Sequence, residues 1–415
     1  MTARLYYDDS FLLEFDAQVR DLIPASAAES RIAVILDRTA FYPTSGGQVF
    51  DTGWMSPADV PDAGVACTVV EVAEREDGAI LHYVSESAPP AAGSRVHGKI
   101  AAPRRIDHIQ QHSGQHVLSA AFIRLFDAPT VSFHMGNEIC TIDLDTKALA
   151  PQQVEAAERL ANEIILENRP VQIRYVSPEE AQGMGLRKIP AVGRAELRLI
   201  AIQDFDVTAC GGTHVRSTGQ IGCILLRKVE KVRQGMRLEF VCGQRAVGVA
   251  RRDYRALSEA AELFSAHLWD VPQQIRKAQD DAKAAHRTRE QLLEELAGQK
   301  AERLLEQTPV VNGRKVVTGV LADRDQLFIR LLAQKCARGA HNVIALLAST
   351  QGPTALVFAQ SAGQPFDMGA LMKEALAKLG GRGGGGKDLA QGGIAEPKAV
   401  EPVLAEIRDR LQATD

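Results

Sequence analysis

Two residue pairs in this 415-residue chain have the spacing of metal ligands. The stretch DHIQQHSGQHVLSA, Asp107–Ala120, sets His112 and His116 four apart. Further on, 94 positions past His116, TACGGTHV sets Cys210 and His214 four apart. On a helix, residues four apart share a face with Cβ atoms about 5–6 Å apart. His112 and His116 can therefore bind one ion through ring nitrogens at about 2.0–2.1 Å. Cys210 offers a soft thiolate, and Gly211–Gly212 lets the backbone wrap closely before His214. Three imidazoles and one thiolate make a tetrahedral, borderline-soft set suited to Zn2+. Structural zinc usually takes four protein ligands and catalytic zinc keeps a place for water, and the sequence leaves that choice open. The ladder His108, His112, His116 also permits the pair 108/112, and His134 is a spare donor. With Phe133 and Thr213, these two spare histidines are the candidates for groups surrounding the ion. Each pair taken alone also has a bland reading as ordinary polar residues.

The elements that must carry these pairs follow from periodicity. Ile109, Leu118, Phe122 and Leu125 recur with helical spacing across Ile106–Phe126, so the histidine pair sits on a helix. Thr130–Asp145 alternates like a strand pair turning at Gly136–Asn137. Pro151–Asn168 reads as a second helix stopped by Pro170, and VQIRYV and LRLIAI read as strands. Upstream, short apolar runs at Ile32–Leu36, Cys67–Val72 and Ile80–Val84 are broken by Gly, Pro and Asp, as in a small barrel. Val271–Gln307 lacks strong breakers and predicts one helix about 55 Å long at 1.5 Å per residue. Its stripe of Leu292, Leu293, Leu296, Leu304 and Leu305 suggests a hairpin or coiled coil. The remainder reads β-α-β-β-α and ends in LGGRGGGGKDLAQGG. The fold class is thus α+β in four parts: a β-barrel-like domain over 1–100, a zinc-binding α+β domain over 101–248, a helical linker over 249–308, and a small α/β domain with a Gly-rich loop over 309–415.

Composition narrows the function classes. No run of about 18 apolar residues exists, so no membrane span is expected. The start, MTARLYYDDSF, has no apolar leader, and six scattered cysteines do not resemble a disulfide framework, so a cytoplasmic location is expected. The net charge of −4 is uneven. Residues 1–100 hold 15 acids against 7 Lys/Arg, whereas residues 187–245 hold 11 Lys/Arg against 5 acids. A basic surface beside an acidic lobe suits a polyanion that meets one face only.

HSGQHVLSAAF and CGGTHV closely resemble the HxxxH and CxxxH zinc motifs of the editing domain of alanyl-tRNA synthetase and of the free-standing alanyl-tRNA editing proteins. LDRTAFYPTSGGQVFDTG resembles the segment that opens this domain in both, and GGRGGGGKDLAQGG resembles the glycine-rich end of the synthetase C-terminal domain. Only 35 residues precede Leu36, too few for an amino-acid-activating domain, so the expected match is the long free-standing form. The resemblance implies a zinc-dependent hydrolase acting on mischarged Ser-tRNA(Ala), and on Gly-tRNA(Ala) as a further candidate, with His112, His116, Cys210 and His214 as ligands. It implies a substrate pocket at Thr39, Gly46, Gly47 and Gln48, with Thr39 at the position of a threonine that reads the serine hydroxyl. Where the synthetase has a glutamine implicated in hydrolysis, this chain has VSFHMG, with Phe133 and His134, so that role does not transfer.

The glycine-rich end, Arg382, Gly383, Gly384, Gly385, Gly386 and Lys387, is expected to meet RNA phosphates through backbone amides and the two cations. Gly381–Lys387 matches GxxxxGK, but Asp388 stands where a nucleotide loop needs Ser or Thr. Two rivals to the hydrolase exist: a non-catalytic RNA-binding protein with structural zinc, and a zinc peptidase. The second lacks the HExxH glutamate, having Ser113 there. Pairing of two chains through residues 251–307 or the C-terminal domain is the expected mode of any homodimer.

Overall fold

Short alternating strands in the first hundred residues can hide one face only by curling round on themselves. In the computed structural model, which describes residues 1–24, 31–58, 67–85, 89–184, 186, 196–233, 235–395 and 400–413, they do so as a closed six-stranded barrel. Its order is Glu14–Ile23, Ile32–Leu36, Ile80–Val84, Cys67–Glu74, Gly53–Pro57, Arg95–Ile100, with every pair antiparallel. Closure leaves no open sheet edge. Val19, Val34, Leu36, Met55, Val69, Val72, Ile80 and Val96 fill the interior. His82 is buried among them. The Val34 carbonyl can only accept, so His82 Nδ1 donates to it at 2.9 Å. His82 Nε2 is then left to accept from the Thr39 hydroxyl at 2.8 Å.

The histidine-bearing helix, α1, runs Ala102–Phe126 with a proline in its first turn, where the missing N–H costs nothing. It ends at Asp127 in the left-handed region, φ 49°. Residues 111–122 are all buried, so α1 threads the middle of its domain instead of covering a surface. Of its expected apolar positions, Ile109, Leu118 and Phe122 lie in the core, whereas Leu125 is exposed. Together with α2, Pro151–Leu166, it packs on a four-stranded antiparallel sheet ordered Ile224–Val232, Gly235–Cys242, Cys140–Leu144, Thr130–Met135. A second, three-stranded sheet joins Val171–Val176, Leu197–Ile202 and Asp206–Ala209.

Barrel and α1 are clamped together by one buried ion pair. Arg105 and Asp51 are both fully buried. Arg105 Nε donates to Asp51 Oδ2 at 3.0 Å and Nη1 to the Ser10 carbonyl at 2.8 Å, while Nη2 reaches the Ala40 carbonyl. The same carboxylate oxygen accepts the Tyr42 N–H at 2.7 Å. The loop Ala40–Asp51 is thereby fixed against the first turn of α1.

The chain divides into two compact units, Met1–Glu259 and Ala260–Asp415. Barrel and metal-ligand region share the first, and residues 249–308, expected as a linker, are divided between the two. In the second unit a mixed sheet, ordered Lys315–Leu321, Val343–Ser349, Thr354–Gln360, Leu389–Ile394, Arg382–Gly385, has helices on both faces. Helices Met368–Leu379 and Val400–Ala413 cover one face. Helix Gln326–Gly339 and the end of helix Val271–Gln307 cover the other. The long helix has the expected bounds. Leu293, Leu304 and Leu305 of its stripe, with Ala297 and Ala301, pack into this core, while Leu292 and Leu296 stay exposed. The glycine-rich end is a loop only at its tip, residues 386–388. Arg382–Gly385 is an edge strand paired with Leu389–Ile394, because an added Cβ at Gly383 would lie 2.4 Å from the Gln391 carbonyl oxygen. No helix among the described residues is long and apolar enough to cross a membrane.

Two stability measurements test this packing. Arg105→Ala strands a buried carboxylate and should destabilise the first unit by about 3–5 kcal/mol in urea unfolding. Burial holds His82 down to about 4, and the bond to Val34 opposes this only in part. A depressed folded value gives stability that is present above the unfolded pKa of about 6.5 and lost as pH falls toward 4. The first unit should therefore lose stability over that interval, and lose less of it in His82→Gln.

Candidate metal centre

Helix α1 presents His112 and His116 one turn apart, and the turn after strand Asp206–Ala209 presents Cys210 and His214. The donor atoms of all four lie within 4.8 Å of one another. His112 Nε2 is 3.4 Å from Cys210 Sγ, and His214 Nε2 is 3.3 Å from it. Zinc-like bonds of about 2.0–2.1 Å to nitrogen and 2.3 Å to sulfur, at tetrahedral angles, put N and S about 3.5 Å apart. The residues present therefore fit a tetrahedral ion. The three histidines are buried and Cys210 is partly open, so the centre faces outward on its sulfur side. Of the ladder, His112 and His116 lie in this cluster and His108 does not.

The surroundings fix the ring orientations. Thr213 N–H can only donate, and it points at Gln48 Oε1 at 3.1 Å, while Gln48 Nε2 donates to Thr213 Oγ1 at 2.9 Å. With Oε1 so assigned, its 2.7 Å contact to His112 Nδ1 must be a bond donated by the ring. That tautomer leaves Nε2 bare toward the cluster, as ligating histidines require. Gly212 makes room for this arrangement: a Cβ there would lie 2.0 Å from His112 Cε1. His214 is held by Ser10 Oγ, which accepts its backbone N–H at 3.0 Å, and its Nδ1 lies 3.4 Å from Ser113 Oγ. Burial, and secondarily the charge of Arg198, pushes His112 down to about 3. Burial, with His112, His116 and Arg198, also holds His214 well below its usual value. Neutral imidazoles are the form that binds metal.

The remaining expected residues sit as follows. Phe133 stacks obliquely on His112, ring centroids 5.5 Å apart, and Thr213 grips Gln48. His108 is buried one turn before His112. Its Nδ1 stands 4.0 Å from Asp51 Oδ1, and neither atom has a hydrogen-bond partner. His134 is exposed on strand Thr130–Met135, away from the buried donors. Gly46 and Gly47 both have positive φ, and the Gly47 carbonyl accepts the Met135 N–H at 3.1 Å. Thr39 is fully buried. Its hydroxyl donates to His82 and accepts the Phe41 N–H. Arg382 and Gly383, with Gly385, Gly386 and Lys387, are exposed on the edge hairpin of the second unit, and Gly384 is half-buried. Of the basic stretch 187–245, residues 187–195 and 234 lie outside the described residues.

Sequence reasoning missed Ser10, Ser113 and Arg198, and gave Gln48 to a substrate pocket and not to His112. Arg198 Nη1 donates to the Cys210 carbonyl at 2.6 Å and its Nε to the Tyr7 carbonyl at 2.9 Å. Only Ser113 carried a signal, since it directly follows a ligand.

Three family models match parts of the chain. They are described as tRNA synthetases class II (A) over residues 4–104, threonyl and alanyl tRNA synthetase second additional domain over 197–238, and DHHA1 domain over 313–413. The alanyl-tRNA editing protein AlaX-L of Pyrococcus horikoshii is 31% identical over 417 residues, covering 99% of this chain and 100% of that protein. The alanine–tRNA ligase of Thermococcus kodakarensis is 32% identical over 423 residues, and that of Archaeoglobus fulgidus 33% over 411. The chain spans 44% and 43% of the length of these two ligases.

Metal analysis tests the centre. Purified protein should hold one divalent ion per chain, and Cys210→Ala should lose most of it. Gln48→Leu, which removes the acceptor for His112 together with both bonds to Thr213, should weaken binding by about 10–100-fold in competition with a chromophoric chelator.

Proposed function

The chain belongs to the alanyl-tRNA editing protein family, and we propose that it is a zinc-dependent hydrolase that clears mischarged tRNA(Ala) by cutting its aminoacyl ester. Ser-tRNA(Ala) is the proposed principal substrate, with Gly-tRNA(Ala) as a second. The observation that carries this reading is the convergence of His112, His116, Cys210 and His214 on one ion-sized space, in a chain collinear with an editing protein over its whole length.

An aminoacyl ester is already reactive, so the protein's task is to orient it and to exclude the correct substrate. Zinc held by the four donors would supply Lewis-acid polarisation of an oxygen. Gln48, through His112, and Ser113, beside His214, would keep the donor atoms aimed at that ion. Thr39 is the proposed reader of the serine side chain. Its proton is committed to His82, so it would meet a serine hydroxyl as an acceptor. Alanine leaves such a pocket with an unmatched polar group, a difference that hydrogen-bonding sites turn into large selectivity. The proposed domain roles follow the four segments: barrel, residues 1–100; zinc domain, 101–248; helical linker, 249–308; tRNA contact, 309–415, through Arg382 and Lys387 on the glycine hairpin.

Four protein donors also compose a structural site, which favours a second reading, a non-catalytic RNA-binding protein. Deacylation assays separate the two. Ser-tRNA(Ala) should be hydrolysed at least about 100-fold faster than Ala-tRNA(Ala), and His116→Ala should abolish the activity while leaving the fold intact by circular dichroism. Equal rates on both substrates, or no turnover by the metal-loaded protein, would overturn the proposal.

A further inference from the structure

A crevice of about 940 Å³ lies within the first unit, between residues 1–8 and 74–78 on one side and strands Leu197–Ile202 and Asp206–Ala209 on the other. Cys210 and Gly211 form part of its wall. It therefore abuts the most open donor of the metal centre, and its volume is that of a small-molecule site.

Arg198 is the unusual residue of this wall. It is 8% exposed, and its hydrogen bonds go to two carbonyls, those of Tyr7 and Cys210. Its Nη2 is buried without a partner, and no carboxylate pairs with it among the described residues. A buried cation with no counter-charge is costly. Three of the five acids on the wall are engaged elsewhere, Glu74 with Arg4, Asp77 with Arg75, and Asp8 with the Tyr175 hydroxyl at 3.0 Å, and the other two, Glu76 and Glu196, form no ion pair with Arg198. Arg4 is paired with Glu74, whereas Arg198 has only the Tyr7 ring face, 5.3 Å from its guanidinium carbon, beside its two carbonyls. Tyr175, 46% exposed, adds an aromatic face to the same wall.

We propose that this crevice seats a nucleotide, the terminal residue of the strand that carries the ester, with Arg198 taking a phosphate or ribose oxygen and Tyr175 flanking the base. This rests on the editing reading above. A group in the crevice lies beside Cys210, so what binds there must be attached to what reacts at the ion. In an aminoacyl-tRNA that attachment is the terminal nucleotide. Anion, ring and position thus all match one ligand class. Bases stack on aromatic side chains without regard to sequence, and guanidinium suits phosphate oxygens.

Calorimetric titration of the metal-loaded protein with adenosine 5′-monophosphate, adenosine and inorganic phosphate tests the assignment. The monophosphate should bind more tightly than either fragment. Arg198→Gln should weaken it by about tenfold or more, the loss of one charge-assisted hydrogen bond. Tyr175→Ala, a change at a half-exposed side chain, should weaken both the monophosphate and adenosine with metal content unchanged. This second variant decides the matter should Arg198→Gln disturb the Cys210 turn. No saturable binding of the monophosphate, binding of phosphate as tight as that of the nucleotide, or affinity unchanged in the metal-replete variants would overturn the assignment. Failure of the two readings is distinguishable. Arg198-dependent nucleotide binding without ester cleavage keeps the crevice and rejects editing. Cleavage of Ser-tRNA(Ala) with an unaltered KM in both variants keeps editing and rejects the crevice.

Discussion

The first unit depends on the buried pair between Arg105 and Asp51. It ties a loop of the barrel to the first turn of the helix that carries two donors. The loop that carries Gln48 inherits its position from that tie. Gln48 reaches His112 only because the loop Ala40–Asp51 lies along α1. The glycine turn at Gly211–Gly212 closes from the opposite side. A buried ion pair adds little stability compared with apolar packing, yet removing one partner is severe. Here the charge of Arg105 is spread over three acceptor groups, the Asp51 carboxylate and the Ser10 and Ala40 carbonyls. The pair therefore acts as a positional lock between the barrel and α1.

Much of the architecture was legible because local chemistry dictates it. The bounds of helix Val271–Gln307 follow from composition and from the proline in its first turn. The ligand pairs show themselves because helical geometry and a glycine turn each enforce a spacing of four. Less legible was anything set by tertiary contact. Nothing local distinguishes His108 from His112 and His116. The structure does so by turning His108 toward Asp51, one turn from the cluster. Gln48 looks like part of a turn in sequence, and only the approach of Thr213 reveals which of its amide atoms faces the ring. Arg198 alternates in an ordinary strand pattern, so its burial is invisible until the Cys210 turn folds over it.

The glycine-rich end misleads for a different reason. Repeated glycine suggests a loop by composition, yet the same absence of side chains permits a strand where backbone passes close to backbone. Arg382–Gly385 lies against Leu389–Ile394 and above Leu376, and added carbons would collide there. The leucine stripe of the long helix likewise divides. Its C-terminal portion packs into the unit's own core, leaving Leu292 and Leu296 outside.

The wide sequence separation of the two donor pairs has a bearing on how the chain folds. Between His116 and Cys210 lie the strands Thr130–Met135, Cys140–Leu144, Val171–Val176, Leu197–Ile202 and Asp206–Ala209, and these belong to two different sheets. The pocket for an ion cannot exist in any partly folded species in which those sheets have not docked, since loop closure over so long a span precedes the contacts that reward it. Until then the sulfur of Cys210 is an ordinary accessible thiol. Capture of an ion by that sulfur together with the three histidines would therefore time the docking of the two sheets, on the ribosome or in a refolding tube.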